Sequence, residues 1–187
     1  MANQIYFVDG GVNELDSICK PQKNCDYFFI GDNDSSSGKQ KTFPMNTFYL
    51  QKAKDYSDFA FVLDRIRFEK QDDLPMFIEV FSAFGKRKDH EYINFFEVTD
   101  FVNACSFPVL VFLYPKILLT NSKIEIENFK NKIFSMISLL DNGHCSIKGA
   151  QYSGSIHLKR PSQGLSNKSL SHKVSIEALK STLAIFC

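Results

Sequence analysis

Residues 27–35 have the sequence YFFIGDNDS, in which a run of large apolar residues leads directly into a turn with two carboxylates. The apolar run 27–30 is typical of a β-strand. Asp32 and Asp34 follow it, so we expect both side chains on the loop at the carboxyl end of that strand. Because open α/β sheets bind their ligands at this edge, the stretch predicts a fold class and a candidate site together.

The pattern of this strand is repeated on both sides of it, as far as about residue 121. Short apolar runs alternate with stretches of helical periodicity, which predicts strands connected through helices in a mostly parallel, Rossmann-like α/β sheet. In one predicted helix Ser57 is the expected N-cap, and Phe61, Ile66 and Phe68 are available to pack against the sheet. The predicted strands are 5–8, 27–30, 47–50, 76–81 and 109–114, and the predicted helices are 13–19, 57–70 and 90–103.

The sequence changes character after about residue 121. Strand-length runs of mixed apolar and polar residues are separated there by turn signals, which predicts a small antiparallel β-sandwich or an open barrel. We therefore expect two domains, an α/β domain over residues 1–121 and an all-β domain over residues 122–187. The predicted strands of the second domain are 133–140, 145–152, 155–159, 173–179 and 182–186.

Composition and charge narrow the class of protein. The 187 residues are enough for one large domain or two small ones, and the apolar fraction of 44% supplies a hydrophobic core. The 22 basic and 21 acidic side chains nearly balance, so neither nucleic acid nor a membrane surface is an expected partner. The five cysteines are scattered and never form a CxxC pair, which argues against a disulfide scaffold or a zinc site. No signal peptide is evident, and we expect a cytoplasmic protein.

Carboxylates near two predicted elements are candidate metal ligands. Asp32 and Asp34 supply the hard oxygen atoms that Mg²⁺ prefers, although GDNDS is also a typical turn composition. Asp55 and Asp58 lie three residues apart at a predicted helix start. They either join the metal site or only compensate the helix dipole.

A glycine pair follows the first predicted strand. Asp9 ends that strand, and Gly10 and Gly11 come directly after it. Glycines at this place permit a tight turn and a close approach of a ligand to the backbone. Such turns are common, so the motif is weak when it is taken alone.

The sequence GKRKDH at residues 85–90 concentrates three cations, a carboxylate and an imidazole after the predicted strand 76–81. The planar guanidinium group of Arg87 is able to donate two hydrogen bonds to phosphate oxygens, and Asp89 is able to orient that guanidinium. The alternative is a solvated basic turn in which Asp89 is a helix N-cap. Phosphoryl transfer needs positioning, a metal ion and cations, and the carboxylates and this turn together supply those parts.

Five motifs resemble those of thiamine pyrophosphokinase, in the same order and with nearly the same spacing. The resemblance implies an α/β nucleotide-binding domain followed by a β-sandwich that binds thiamine, and it implies a homodimer. It also implies transfer of the pyrophosphoryl group of ATP to the hydroxyethyl group of thiamine, with Mg²⁺ and with release of AMP. The motifs are DGG (9–11) with Asn13 and Leu15, IGDNDS (30–35), KDYSD (54–58), GKRKDH (85–90) with Asn94, and GLSN (164–167).

The resemblance also implies roles for individual residues. Arg87 would stabilise charge on the transferring group, and Asp89 would hold the geometry of the site. Ser166 and Asn167 would line the thiamine pocket, across the dimer interface from the metal site of the other subunit. The implied Mg²⁺ ligands are Asp32, Asp34 and Asp58. The other residues of the implied nucleotide site are Asp9, Gly10, Gly11, Asp55 and His90.

Several positions depart from the motifs of this family. The chain begins almost at DGG, so we expect either a sheet without the family's first strand or a misplaced start codon. Lys86 and Lys168 replace a glycine and a glutamate, and the chain has no Trp, which leaves Phe186 or Tyr152 to stack on the substrate. These departures keep two alternatives open. The first is a diphosphokinase for another hydroxymethyl heterocycle such as a pterin, and the second is a thiamine- or nucleotide-binding module without turnover.

Overall fold

The computed structural model describes residues 4–16, 23–32, 43–52, 54–85, 87–140 and 142–187. The chain forms two compact units, Met1–Lys70 and Gln71–Cys187. The six-stranded sheet of the second unit contains strands from both sides of residue 121, and the predicted division into 1–121 and 122–187 stays a prediction. None of the helices in the described ranges is long and apolar enough to cross a membrane.

The first unit is built on a three-stranded parallel sheet in the order β1-β2-β3. All three strands lie within one residue of the ranges predicted from the apolar runs. A 3-10 helix follows β1, and the helix α1 follows β3. The bounds are β1 Gln4–Val8, the 3-10 helix Asp9–Asp16, β2 Asp26–Gly31, β3 Asn46–Tyr49 and α1 Asp58–Glu69.

The central strand β2 of this sheet is covered on both faces. One face buries an apolar cluster that includes Phe7, Phe29 and Val12. The helix α1 packs against β1 and β2, and the Arg65 guanidinium lies 4.1 Å from the ring centroid of Phe48. Because the central strand β2 is covered on both sides, its residues after Asp26 are buried, as its continuous apolar run indicates.

Two helix predictions for this unit need correction. The predicted helix 13–19 is a 3-10 helix over Asp9–Asp16 as far as the structure describes it, because Val12 and Leu15 are both buried and a spacing of three residues aligns them on one side. Phe68 does not pack against the sheet, since 76% of it is exposed. The helix instead buries Val62 and Leu63, which lie on the opposite side of its axis.

The second unit contains a six-stranded sheet in the order β11-β8-β13-β6-β5-β4 and a four-stranded sheet in the order β10-β9-β12-β7. The pair β4 and β5 is parallel, and every other pair is antiparallel. The first elements of this unit are β4 Met76–Val80, α2 Lys88–Ala104, β5 Val109–Leu113, β6 Ile117–Thr120 and β7 Lys123–Ile126. The later strands are β8 Ile133–Ser138, β9 Gly143–Lys148, β10 Gly154–Leu158, β11 Asn167–Lys168, β12 Val174–Ala178 and β13 Leu183–Phe186.

Residues from both of these sheets share one hydrophobic core. Phe134 and Ile185 come from the six-stranded sheet, while Ile147 and Ile176 come from the four-stranded sheet. All four are almost completely buried. The chain is therefore a mixed α/β protein with one parallel sheet and facing antiparallel strands, whereas a Rossmann-like arrangement of the first part stays a prediction.

Candidate active site

Three carboxylates of the first unit converge at one edge of its sheet. Asp9 follows β1, Asp32 follows β2, and Asp58 is the first residue of α1. Each offers one oxygen atom, and these three atoms lie within 4.8 Å of one another. All three residues are half-buried. We call Asp9, Asp32 and Asp58 the carboxylate cluster.

The backbone of this edge is shaped so that the cluster can form. Gly31 is the last residue of β2, and a Cβ atom there would lie 3.0 Å from Cα of Asp9. Asp9 itself has a φ of 45°, a left-handed conformation that Asp tolerates better than most residues do. Unusual backbone conformations are found often at functional sites. A glycine at position 31 therefore lets two neighbouring strand ends approach closely.

Asp58 is oriented by the start of α1. The helix has Ser57 as its N-cap, and the Ser57 Oγ accepts a hydrogen bond from the Ala60 N–H at 3.0 Å. This confirms the predicted cap. The N-terminus of a helix favours negative charge, so the first residue of α1 is a suitable place for the Asp58 carboxylate.

A lysine lies at the border of the cluster. Lys54 Nζ is 2.5 Å from Oδ1 of Asp58, and it also donates to the Gln51 carbonyl at 3.1 Å. Contact with Asp58 raises the pKa of the Lys54 ammonium, so the side chain stays charged. The motif KDYSD contains Lys54 without a role of its own, and its spacing of four residues before Asp58 is the signal in the sequence that indicates this contact.

The cluster fits a divalent cation in its chemistry. Its donors are carboxylate oxygens from three different elements, and hard oxygen donors of this kind suit Mg²⁺. Of the other predicted residues, Asp55 is exposed and is not one of the three, and Asp34 lies outside the described residues. Gly10 and Gly11 continue from Asp9 into the 3-10 helix, and a Cβ at Gly11 would meet nothing within 4 Å.

The basic turn belongs to the second unit, between β4 and α2. Arg87 donates to Asp89 through two bonds, from Nε to Oδ1 at 3.2 Å and from Nη2 to Oδ2 at 2.5 Å. This double contact lowers the pKa of Asp89 to about 2. The expectation that Asp89 could be the N-cap of α2 is wrong, because the cap is Arg87 and Asp89 lies in the first turn, where it pairs with that arginine. His90, the next residue, is exposed.

Two further residues of α2 hold the turn in place. Glu91 accepts from the Gly85 N–H at 2.9 Å and pairs with Lys88 at 2.7 Å. Asn94 donates from Nδ2 to the Ala83 carbonyl at 3.0 Å. Glu91 belongs to none of the motifs quoted above, and its spacing of three residues from Lys88 is the signal in the sequence that indicates this ion pair. The helix therefore fixes the backbone that carries Arg87.

Ser166 and Asn167 lie at the edge strand β11 of the second unit. Asn167 is buried, and its amide exchanges two bonds with the Tyr152 backbone, accepting from N–H at 3.0 Å and donating to the carbonyl at 2.9 Å. Ser166 is exposed, and its N–H donates to Ser135 Oγ. Beside them is a small pocket that is open to solvent. The pocket is lined by Met136, Ile147, Tyr152, Ile156, Leu158, Gln163, Gly164, Leu165 and Asn167.

Comparison with known proteins places this architecture among solved structures. Neither protein-family models nor curated proteins give a match. Thiamine pyrophosphokinase from Bacillus subtilis matches with a TM-score of 0.68 and 23% identity, over 96% of this chain and 84% of that chain. For thiamin pyrophosphokinase from Geobacillus thermodenitrificans the TM-score is 0.67 at 20% identity, with coverages of 96% and 83%. For thiamin pyrophosphokinase from Candida albicans it is 0.63 at 16% identity, with coverages of 95% and 80%. The chain thus has the fold of the thiamine pyrophosphokinases.

Proposed function

We propose that the chain is a Mg²⁺-dependent thiamine pyrophosphokinase, which transfers the pyrophosphoryl group of ATP to the hydroxyethyl group of thiamine and releases AMP. The observation that carries this proposal is the carboxylate cluster of Asp9, Asp32 and Asp58, in a chain with the fold of thiamine pyrophosphokinases. Pyrophosphoryl transfer depends on positioning and on charge neutralisation, and the residues of the cluster suit both tasks.

The cluster is the proposed holder of Mg²⁺, with Asp34 as a further ligand. A bound ion would neutralise charge on the ATP phosphates. Asp58 contributes a carboxylate from the first residue of α1, and Gly31 leaves space for the approach of Asp9. Gly10, Gly11, Asp55 and His90 are the remaining proposed residues of the nucleotide site.

Arg87 is the proposed ligand of the transferring group. Asp89 occupies Nε and one hydrogen of Nη2, which fixes the guanidinium plane and leaves the other N–H groups for phosphate oxygens. Asp89 is therefore a positioning residue in this proposal. In the reaction, a bond forms between the thiamine hydroxyl oxygen and the β-phosphorus. The bond from that phosphorus to the oxygen bridging the α-phosphorus breaks, AMP leaves with this oxygen, and the proton of the thiamine hydroxyl is released to water.

The pocket beside Tyr152 and Asn167 is the proposed site of the thiamine ring system. Its apolar lining and exposed tyrosine ring suit a flat heterocycle, and the Asn167 amide holds the Tyr152 backbone. Several large apolar side chains around β8 and β11 are exposed, which supports a homodimer in which a second subunit completes the site. They are Ile133, Leu165 and Leu170.

The reaction is tested with purified protein, ATP, Mg²⁺ and a panel of acceptors that contains thiamine and a hydroxymethyl pterin. Chromatography of the products should give thiamine diphosphate and AMP from thiamine, and no product from the pterin. AMP formation with the pterin but not with thiamine would indicate a diphosphokinase that acts on another acceptor. Binding of thiamine without any AMP would indicate a binding module. Light scattering at micromolar concentration tests the homodimer, which a monomer under assay conditions would contradict.

A further inference from the structure

The ammonium group of Lys54 is a cation that contacts the carboxylate cluster through Asp58. Its side chain is only 15% exposed and that of Asp58 only 12%, so the contact between them is largely shielded from water. Charge pairs with little solvent exposure are screened less by salt than surface pairs are. Lys54 and Asp58 therefore form a shielded ion pair, and the Lys54 side chain is not freely solvated.

The two oxygens of Asp58 have different surroundings. Oδ1 is 2.5 Å from the Lys54 ammonium. Oδ2 faces the end of β2, where a Cβ on Gly31 would approach it to 3.3 Å. A divalent cation bound by the three carboxylates would share Asp58 with the Lys54 ammonium. Two cations at such short range repel each other.

We propose that Lys54 is the internal counter-cation of the carboxylate cluster, and that a divalent cation must displace its ammonium from Asp58 in order to bind. This inference rests on the proposed metal site. The Gln51 carbonyl, which already accepts from Lys54 Nζ at 3.1 Å, gives the ammonium a partner that does not depend on Asp58. The flexible stem of lysine permits the small movement that this exchange requires.

The displacement makes two predictions for the variant Lys54→Met, which keeps the length of the stem and removes the charge. The protein without metal becomes less stable, because Asp58 loses its counter-charge beside two other carboxylates. Its affinity for a divalent cation rises, because no ammonium has to be moved. We expect a dissociation constant lower by about tenfold if the whole charge-assisted contact is lost on metal binding.

The experiment is a titration with Mn²⁺ alone, followed by isothermal calorimetry and by electron paramagnetic resonance of the free ion. The proteins compared are the wild type, Lys54→Met, Lys54→Arg and Lys130→Met, where Lys130 is an exposed lysine of the second unit and controls for net charge. Tighter binding by Lys54→Met, with wild-type binding by the control, supports displacement. Lys54→Arg keeps the charge and should bind as weakly as the wild type.

The possible contrary results separate this inference from the metal site itself. Equal or weaker Mn²⁺ binding by Lys54→Met, with measurable binding by the wild type, overturns the displacement and leaves the metal site intact. No binding by any of the proteins overturns the metal site and the displacement with it. If Lys54→Met does not fold, Lys54→Gln gives the same comparison, since it lacks the charge but retains a hydrogen-bond donor. Circular dichroism identifies that case.

Discussion

Gly31 lies so close to Asp58 that a Cβ atom on the glycine would be 3.3 Å from Asp58 Oδ2. The same atom would lie 3.2 Å from the backbone N of Asp9. The end of β2 is therefore packed against two of the three residues of the carboxylate cluster. Gly31 has no metal-binding side chain, but it sets the spacing between Asp9 and Asp58, which have one.

Replacing Gly31 by alanine should disturb the cluster. The added methyl group would force the backbone of Asp9 and the carboxylate of Asp58 apart by a few tenths of an ångström, which costs about 1–2 kcal/mol of unfolding free energy. The affinity of Gly31→Ala for Mn²⁺ should also fall, and by more than the loss of unfolding free energy alone would produce. Gly85→Ala is the matched control, since a Cβ there meets nothing within 4 Å. Calorimetric Mn²⁺ binding as strong as in the wild type would contradict this account of Gly31.

Two substitutions of Asp9 should separate its charge from its backbone conformation. Asn tolerates the φ of 45° as Asp does, whereas this left-handed conformation costs Ala about 1 kcal/mol of conformational free energy. We expect Asp9→Asn to be at least as stable as the wild type without metal, because one carboxylate fewer reduces repulsion, and Asp9→Ala to be less stable than Asp9→Asn. Both should lose the rise in Tm that millimolar Mg²⁺ produces by binding the folded state. A Mg²⁺-dependent rise in Asp9→Asn equal to that of the wild type would count against Asp9 as a ligand.

The pair of Arg87 and Asp89 makes a prediction about pH. The arginine lowers the pKa of Asp89 from the ordinary 3.8 to about 2. Because the pKa in the folded state is the lower one, the pair favours folding above about pH 4, and this contribution is lost as the pH falls towards 2. Both side chains are more than 60% exposed, so the effect on stability is small and the titration itself is the better observable. Carbon-detected NMR of Asp89 should show the lowered midpoint, and Arg87→Gln should return it to about 4.

The cap of α1 should contribute to stability. Ser57→Ala removes the acceptor of the Ala60 N–H, and we expect a loss of about 1 kcal/mol in urea unfolding. Ser57→Thr retains an oxygen at the same place and should stay close to the wild type. Equal midpoints for the alanine and threonine variants would show that the cap does not stabilise the start of the helix that carries Asp58.

The parallel sheet of the first unit could be predicted because its determinants are local. The run YFFI at 27–30 is long and apolar enough to indicate a buried strand, and the turn residues after it give its end. Two strands of the second unit had no such signal. The strands β7 and β11 are short and half polar, and each forms only by pairing with a strand that is distant in the sequence.

The candidate site could be predicted in its residue types but not in its contacts. The positions of Asp32 and Asp58 after a strand and at a helix start indicated ligands, and the DGG motif indicated Asp9. The contact of Lys54 with Asp58 and the close approach of Gly31 depend on how the elements of the first unit pack, which the sequence does not give. The same holds for Asn167, whose amide bonds to Tyr152 across an interval of 15 residues.

The central claim is that Asp32 and its cluster support transfer of an intact pyrophosphoryl group. Phosphorus NMR of one reaction with ATP, Mg²⁺ and thiamine measures this directly, with Asp32→Asn and the exposed α1 variant Asp64→Asn run beside the wild type. We predict AMP and thiamine diphosphate in equal amounts from the wild type and Asp64→Asn, and neither product from Asp32→Asn. ADP with thiamine monophosphate, or an undiminished rate in Asp32→Asn, would contradict the account.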